Sequence, residues 1–146
     1  MNIVVGLDGS ATAESVLRTA VEESRLRKAN LHVIHVVHVP TTIADGMTFM
    51  PGNLIESNYQ FAEEIRKSVW ERVKASLEGS EVKWVQVDRT GYPADEIVGY
   101  AKSIDASLLV VGSRGFGDFK SLLLGSTSHR VSHLAPCDVL IVKTNA

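Results

Sequence analysis

The chain has 146 residues, with 15 Lys and Arg against 17 Asp and Glu for a formal charge of −2, and it is 45% hydrophobic and 22% charged. That length predicts one domain over residues 1–146 with a core that stands without staples, and the composition excludes disorder, collagen and coiled coil. The near-neutral balance offers no polybasic face for a nucleic acid, and the single cysteine, Cys137, excludes an internal disulfide and a Cys-based zinc knuckle.

Short apolar runs alternate with helical patterns. Residues 3–7 form a β-branched run that ends in Asp8-Gly9-Ser10, a turn cluster and helix-start signal. Ala13, Val16, Leu17, Ala20 and Val21 then repeat at i, i+3, i+4, i+7 and i+8, the stripe of a helix ending near Lys28. Residues 31–39 read as a second strand stopped by Pro40, and 40–53 as a loop. A long helix is predicted over 54–77, with Phe61, Ile65, Val69, Val73 and Leu77 at i+4 steps and Gly79 suited to its C-terminal end. A third strand spans 82–88, with Val82 and Trp84 on one face and Val85 and Val87 on the other. Pro93 opens a helix whose face is Ala94, Ile97, Val98 and Ala101. Residues 108–111 are a fourth strand, 112–125 a glycine-punctuated loop, 126–134 a short helix closed by Pro136, and 139–142 a fifth strand.

Near-continuously apolar strands alternating with helices predict an α/β fold: a five-stranded parallel sheet with helices on both faces, in the order 3-2-1-4-5. Such sheets bind ligands beyond the carboxyl ends of their strands, where the connections diverge. Here that point lies between strands one and four, followed by Asp8-Gly9-Ser10 and the 112–125 loop, the two connections richest in glycine signals. The start, Met1-Asn2-Ile3-Val4-Val5-Gly6, carries no basic segment or long apolar stretch, and no window reaches eighteen apolar residues. A cytoplasmic chain that does not enter a membrane is expected.

The loop reads Gly112-Ser113-Arg114-Gly115, then Gly117 and Lys120, and closes on Gly125-Ser126-Thr127-Ser128. Glycines allow backbone amides to approach an anion, and the open amides and dipole of the helix starting at Ser126 form a seat for phosphate. Ser126 and Thr127 add hydroxyls, and Arg114 and Lys120 add positive charge. Neither GxxxxGK[ST] nor GxGxxG is present. Among the histidines, His32 and His38 share a strand face and His35 takes the other, roughly 20 Å apart end to end over six residues, so they cannot share a metal. His129 and His133 stand at i, i+4 on a helix, without an HExxH frame.

The spacing Gly-x2-Gly-x9-Gly-Ser on Gly112, Gly115, Gly125 and Ser126 stands beside Asp8-Gly9-Ser10, His35-Val36 and His133-Leu134-Ala135-Pro136-Cys137. Together they closely resemble the universal stress protein family over the whole chain, and the spacing resembles its ATP-binding branch. The resemblance implies that ATP, with Mg²⁺ or Mn²⁺, is the ligand. It implies that Asp8, in the Asp8-Gly9-Ser10 turn, accepts from the ribose hydroxyls, and that Val36 meets adenine through its backbone. Gly112, Ser113, Arg114, Gly115, Gly125, Ser126 and Thr127 then surround the phosphates. It further implies a homodimer through the last strand, residues 137–143, although Asp138 stands where the family often has proline.

Three functions compete. A regulatory or stress-response module that binds ATP without turnover is favoured, because no general base stands beside the glycine loop and no catalytic residue is assigned. A slow ATPase or autophosphorylating enzyme would use Ser113, Ser121, Ser126 or Thr127 as acceptors, with Met47, Phe49 and Met50 walling a substrate pocket. A phospho-acceptor switch would use Asp8, Asp88, Ser113 and Lys143, but it lacks a second acid beside Asp8.

Overall fold

The computed structural model describes residues 1–38, 52–115 and 124–143. Five strands, β1 (Asn2–Leu7), β2 (Asn30–Val37), β3 (Trp84–Thr90), β4 (Leu108–Gly112) and β5 (Asp138–Val142), alternate with helices α1 (Ala13–Arg27), α2 (Gly52–Leu77), α3 (Pro93–Ser103) and α4 (Ser126–Leu134). The sheet is wholly parallel, in the order β3-β2-β1-β4-β5 predicted from the sequence.

Period-two alternation divides the core into two layers. Ile3, Val5 and Leu7 pack with Leu31, Val33 and Val110 against Val16, Leu17 and Ala20 of α1 and Val69, Val73 and Leu77 of α2. Val4, Ile34, Val87, Leu109 and Val111 pack on the other face against Ile97, Val98 and Ala101 of α3 and Val131 of α4. Each buried Val, Leu or Ile side chain among them stabilises the fold by about 1.5–3 kcal/mol relative to exposure. Gly6 lets α3 come close: a Cβ there would stand 2.7 Å from Ile97 Cδ1.

Several boundaries shift: the second strand is Asn30–Val37 rather than 31–39, and the fifth opens at Asp138. The third strand starts at Trp84, because its ladder with β2 opens at the pair Leu31↔Trp84, and it runs to Thr90, because β2 supplies Val37 as a partner. The second helix starts at Gly52, two residues before the predicted boundary. Most of the expected 40–53 loop, including Met47, Phe49 and Met50, lies outside the described residues, as do Gly117, Lys120 and Ser121 of the glycine loop.

Helix ends follow backbone rules. Pro93 opens α3 at its first turn, and Gly79, at φ +73°, follows α2 in the left-handed region. No helix among the described residues is long and apolar enough to cross a membrane.

Candidate functional site

The carboxyl ends of β1, β2 and β4 open into one cleft of about 900 Å³, near the upper end of the range for small-molecule pockets. Asp8, Ser10, Val36, Gly112, Arg114, Gly115, Gly125, Ser126 and Thr127 all line it, so the structure brings together two segments more than a hundred residues apart. Gly9 and Ser113 do not line it. Gly9 sits at φ +79°, where glycine permits the tight turn after β1. Within that turn the Ser10 amide donates to Asp8 Oδ1 at 2.9 Å. A carboxylate offers about four acceptor positions, so this bond leaves the group chemically able to accept more.

Ser113 is buried and its backbone fastens the glycine loop. Its N–H donates to the Val142 carbonyl at 2.8 Å, and its carbonyl accepts from the Gly125 N–H at 2.6 Å. Ser128 Oγ adds a bond to the same carbonyl at 3.2 Å. The two ends of the loop are thereby tied together at the mouth of β4, and α4 starts there. Gly125 has φ −66° and ψ 162°, a backbone conformation open to any residue.

Three helix N-termini border this cleft, and their chemistry differs: α1, entering through Thr12 and Ala13, carries Glu14 in its first turn. The first turn of α3 carries Asp95 and Glu96, which already answer its dipole. The first turn of α4 carries no acid and begins Ser126-Thr127-Ser128. Of these three, only α4 has no acid in its own first turn, the composition that suits an anion at a helix start.

At the opposite end, hydrogen-bond parity decides what β2 exposes. The Asn30 N–H donates to the Met1 carbonyl at 3.0 Å and the Leu31 N–H to the Lys83 carbonyl at 2.9 Å, so even-numbered β2 residues face β1 and odd ones face β3. The Gly91 N–H donating to the Val37 carbonyl at 2.9 Å keeps the alternation to the end of the strand. The backbone polar groups of Val36 thus face the β1 side, one step beyond the last pair, Leu7↔His35.

A universal stress protein family model matches residues 1–143. The chain belongs to the universal stress protein family. It is 35% identical to universal stress protein YxiE of Bacillus subtilis, over 97% of each chain. Its fold matches universal stress protein UspA from Lactobacillus plantarum with a TM-score of 0.78, at 23% identity over 97% of each chain. It also matches a universal stress protein crystallised in complex with cAMP, with a TM-score of 0.63 and 27% identity over 99% of this chain and 98% of that one.

In this universal stress protein the cleft has walls that the sequence reading did not find. Tyr59, Phe61, Ala62 and Ile65 of α2 line it. Phe61 was expected on the core stripe, yet it is 64% exposed, because this end of α2 stands over the cleft rather than over the sheet. Tyr92 also lines the cleft, with its ring 5.6 Å from that of His38. His35 is buried, lines the cleft floor and hydrogen-bonds through Nδ1 to the Leu7 carbonyl at 2.9 Å. The sequence marks His35 through the His35-Val36 pair and its place on the strand face opposite His32 and His38, but not its contact with β1.

The other histidines go elsewhere. His32 Nδ1 meets the Tyr100 hydroxyl at 2.7 Å, and burial lowers its pKa below the ordinary 6.5. The rings of His129 and His133 lie 4.7 Å apart on the exposed face of α4. Among the described residues no group of three or more His, Cys, Asp or Glu side chains is placed to hold a metal ion. The Cys137 thiol pKa is raised, first by burial and then by the charge of Asp138, against an opposing backbone hydrogen bond at Leu109.

Proposed function

We propose that this universal stress protein is a cytoplasmic stress-response or regulatory module, a single domain over residues 1–146 that binds ATP at the carboxyl ends of β1 and β4. The observation that carries this reading is the cleft itself, which joins the start of α4, with no acid in its first turn, to Val36 at the end of β2. The cAMP complex of a structural neighbour adds support for an adenine nucleotide.

The residues fit the ligand by type. Amides at Ser126 and Thr127 and the Arg114 guanidinium would hold phosphate oxygens, with Gly112, Gly115 and Gly125 lining the same seat. Asp8 would accept from the ribose hydroxyls. The Val36 carbonyl would accept from the adenine amino group, and the apolar side chains of α2 would keep water from the base. A bound Mg²⁺ or Mn²⁺ would take most of its oxygens from the phosphates and water, as small hard cations do, with at most one or two carboxylates. Among the described residues beside the glycine loop no general base is evident, and binding without turnover is the activity we favour.

Adenine presents an amino group to the Val36 carbonyl, whereas guanine presents a carbonyl oxygen and leaves two acceptors face to face. Calorimetry should therefore show ATP bound more tightly than GTP, and Gly125→Val should abolish binding with the circular dichroism spectrum unchanged. Equal affinity for both nucleotides, binding of neither, or normal binding by Gly125→Val would overturn the reading.

We further propose a homodimer through β5, residues 137–143. Val139, Leu140, Ile141 and Val142 are each only half-buried at this edge of the sheet, and an apolar edge is a template for pairing with another chain.

A further inference from the structure

Arg130 and Asp95 both line the cleft, from different helices. Arg130 Nε and Nη2 each donate to Asp95 Oδ1 at 3.0 Å. The two side chains are 60% and 45% exposed. We propose that this pair makes the site sensitive to phosphate number: Asp95 holds Arg130 in reserve, and a nucleoside triphosphate draws it away where a monophosphate does not. The inference rests on the nucleotide reading of the cleft and deepens it.

Three features lead there. Arg130 lies four residues after Ser126, so the two share one face of α4. Helical side chains lean toward the N-terminus, which directs the guanidinium back over the start of α4, the proposed phosphate seat. Asp95 answers the dipole of α3 as well as the charge of Arg130, so it is itself stabilised where it stands.

The energetics favour exchange over a permanent pair. An exposed ion pair contributes little, because water screens it and ordering two long side chains costs entropy. A guanidinium takes two phosphate oxygens in the same forked geometry that it offers a carboxylate. A triphosphate carries more charge than a monophosphate and extends farther from the ribose, so it competes for Arg130 more effectively. While Arg130 stays with Asp95, the carboxylate is neutralised and does not repel the ligand. Once Arg130 moves to the phosphates Asp95 is left as a bare charge, so replacing Asp95 both releases the guanidinium and removes the repulsion that its departure would expose.

The test is calorimetry of the full chain with MgATP and with AMP, on wild type, Arg130→Gln, Arg130→Lys and Asp95→Asn. Arg130→Gln should weaken ATP about three- to tenfold and leave AMP within about twofold. Arg130→Lys, which keeps the charge but loses the fork, should fall between. Asp95→Asn should tighten ATP and raise the ATP-to-AMP affinity ratio. Arg130→Gln and Asp95→Asn shifting the ratio in the same direction, or leaving it unchanged, would overturn the inference. Wild type binding neither nucleotide would overturn the nucleotide reading as well. Normal wild-type binding with an unmoved ratio removes the inference alone. Asp95→Asn keeps the test decisive if an Arg130 variant fails to fold.

Discussion

His32 shows how one side chain couples the sheet to α3. Its Nδ1 meets the Tyr100 hydroxyl at 2.7 Å, and the Arg89 guanidinium lies 5.4 Å from the Tyr100 ring centre. Burial raises the Tyr100 pKa and the charge of Arg89 opposes it, so the phenol stays protonated and can donate to a neutral imidazole. Burial lowers the His32 pKa, so folding favours the neutral ring. The stabilisation is fully present above the unfolded value near 6.5 and is lost as pH falls through 6.5 toward the lower folded value. Denaturant unfolding at pH 7.5 and pH 5 should therefore cost wild type more stability on acidification than it costs His32→Phe. Equal losses would show that His32 does not contribute.

At the scale of elements, the helix ends carry an uneven strain. Lys28 sits at φ 52° and ψ 43° after α1, and the Ala29 N–H closes the end by donating to the Ser24 carbonyl at 2.9 Å. A lysine Cβ is disfavoured in that region, where glycine is not. Lys28→Gly should raise stability by about 0.5–1 kcal/mol, read as a higher melting temperature. Asp105 ends α3 at φ 49° in the same manner. Aspartate tolerates this conformation better, so Asp105→Gly should gain less. No gain at Lys28 would mean that the unfolded-state entropy of glycine offsets the relief. The elements themselves were legible because hydrophobic period separates strand from helix. The wall formed by α2 was not, because the i+4 stripe from Phe61 to Leu77 is continuous in sequence while the sheet beneath it ends.

For the whole molecule, the two sheet edges differ. β3 exposes Val85 to 44% but adds exposed Gln86, Arg89 and Thr90, with Lys83 just before it. β5 is half-buried along four consecutive apolar residues. Charge and polarity run along β3 itself and discourage pairing there, whereas at β5 they are confined to its ends, at Asp138 and at Lys143 just beyond it. A two-fold partner could join β5 to β5 in a self-complementary contact. Light scattering after size exclusion should show a dimer at tens of micromolar, and Ile141→Lys should shift it toward monomer. A monomeric wild type, or an Ile141→Lys dimer that a β3 substitution breaks, would defeat the proposal. ATP binding should largely survive in the monomer, because the residues proposed to hold it lie within one chain.

The sequence by itself determined the order of elements and narrowed the parallel sheet to a few topologies, among them the observed one with its switch point between strands one and four. Each follows from local periodicity and from the handedness of β-α-β crossovers. It also marked the glycine loop, since backbone-permissive residues are visible in any alphabet. Only tertiary structure decided which of those residues reach the cleft. Ser113 turns inward because its backbone ties the loop to β5 and α4, and Gly9 serves the turn rather than the cleft. Only tertiary structure joined His35 to the end of β1, Tyr92 to the rim and Arg130 to Asp95. Those contacts link elements distant in the chain, and nothing in local spacing encodes which side chain on one helix will meet which on the next.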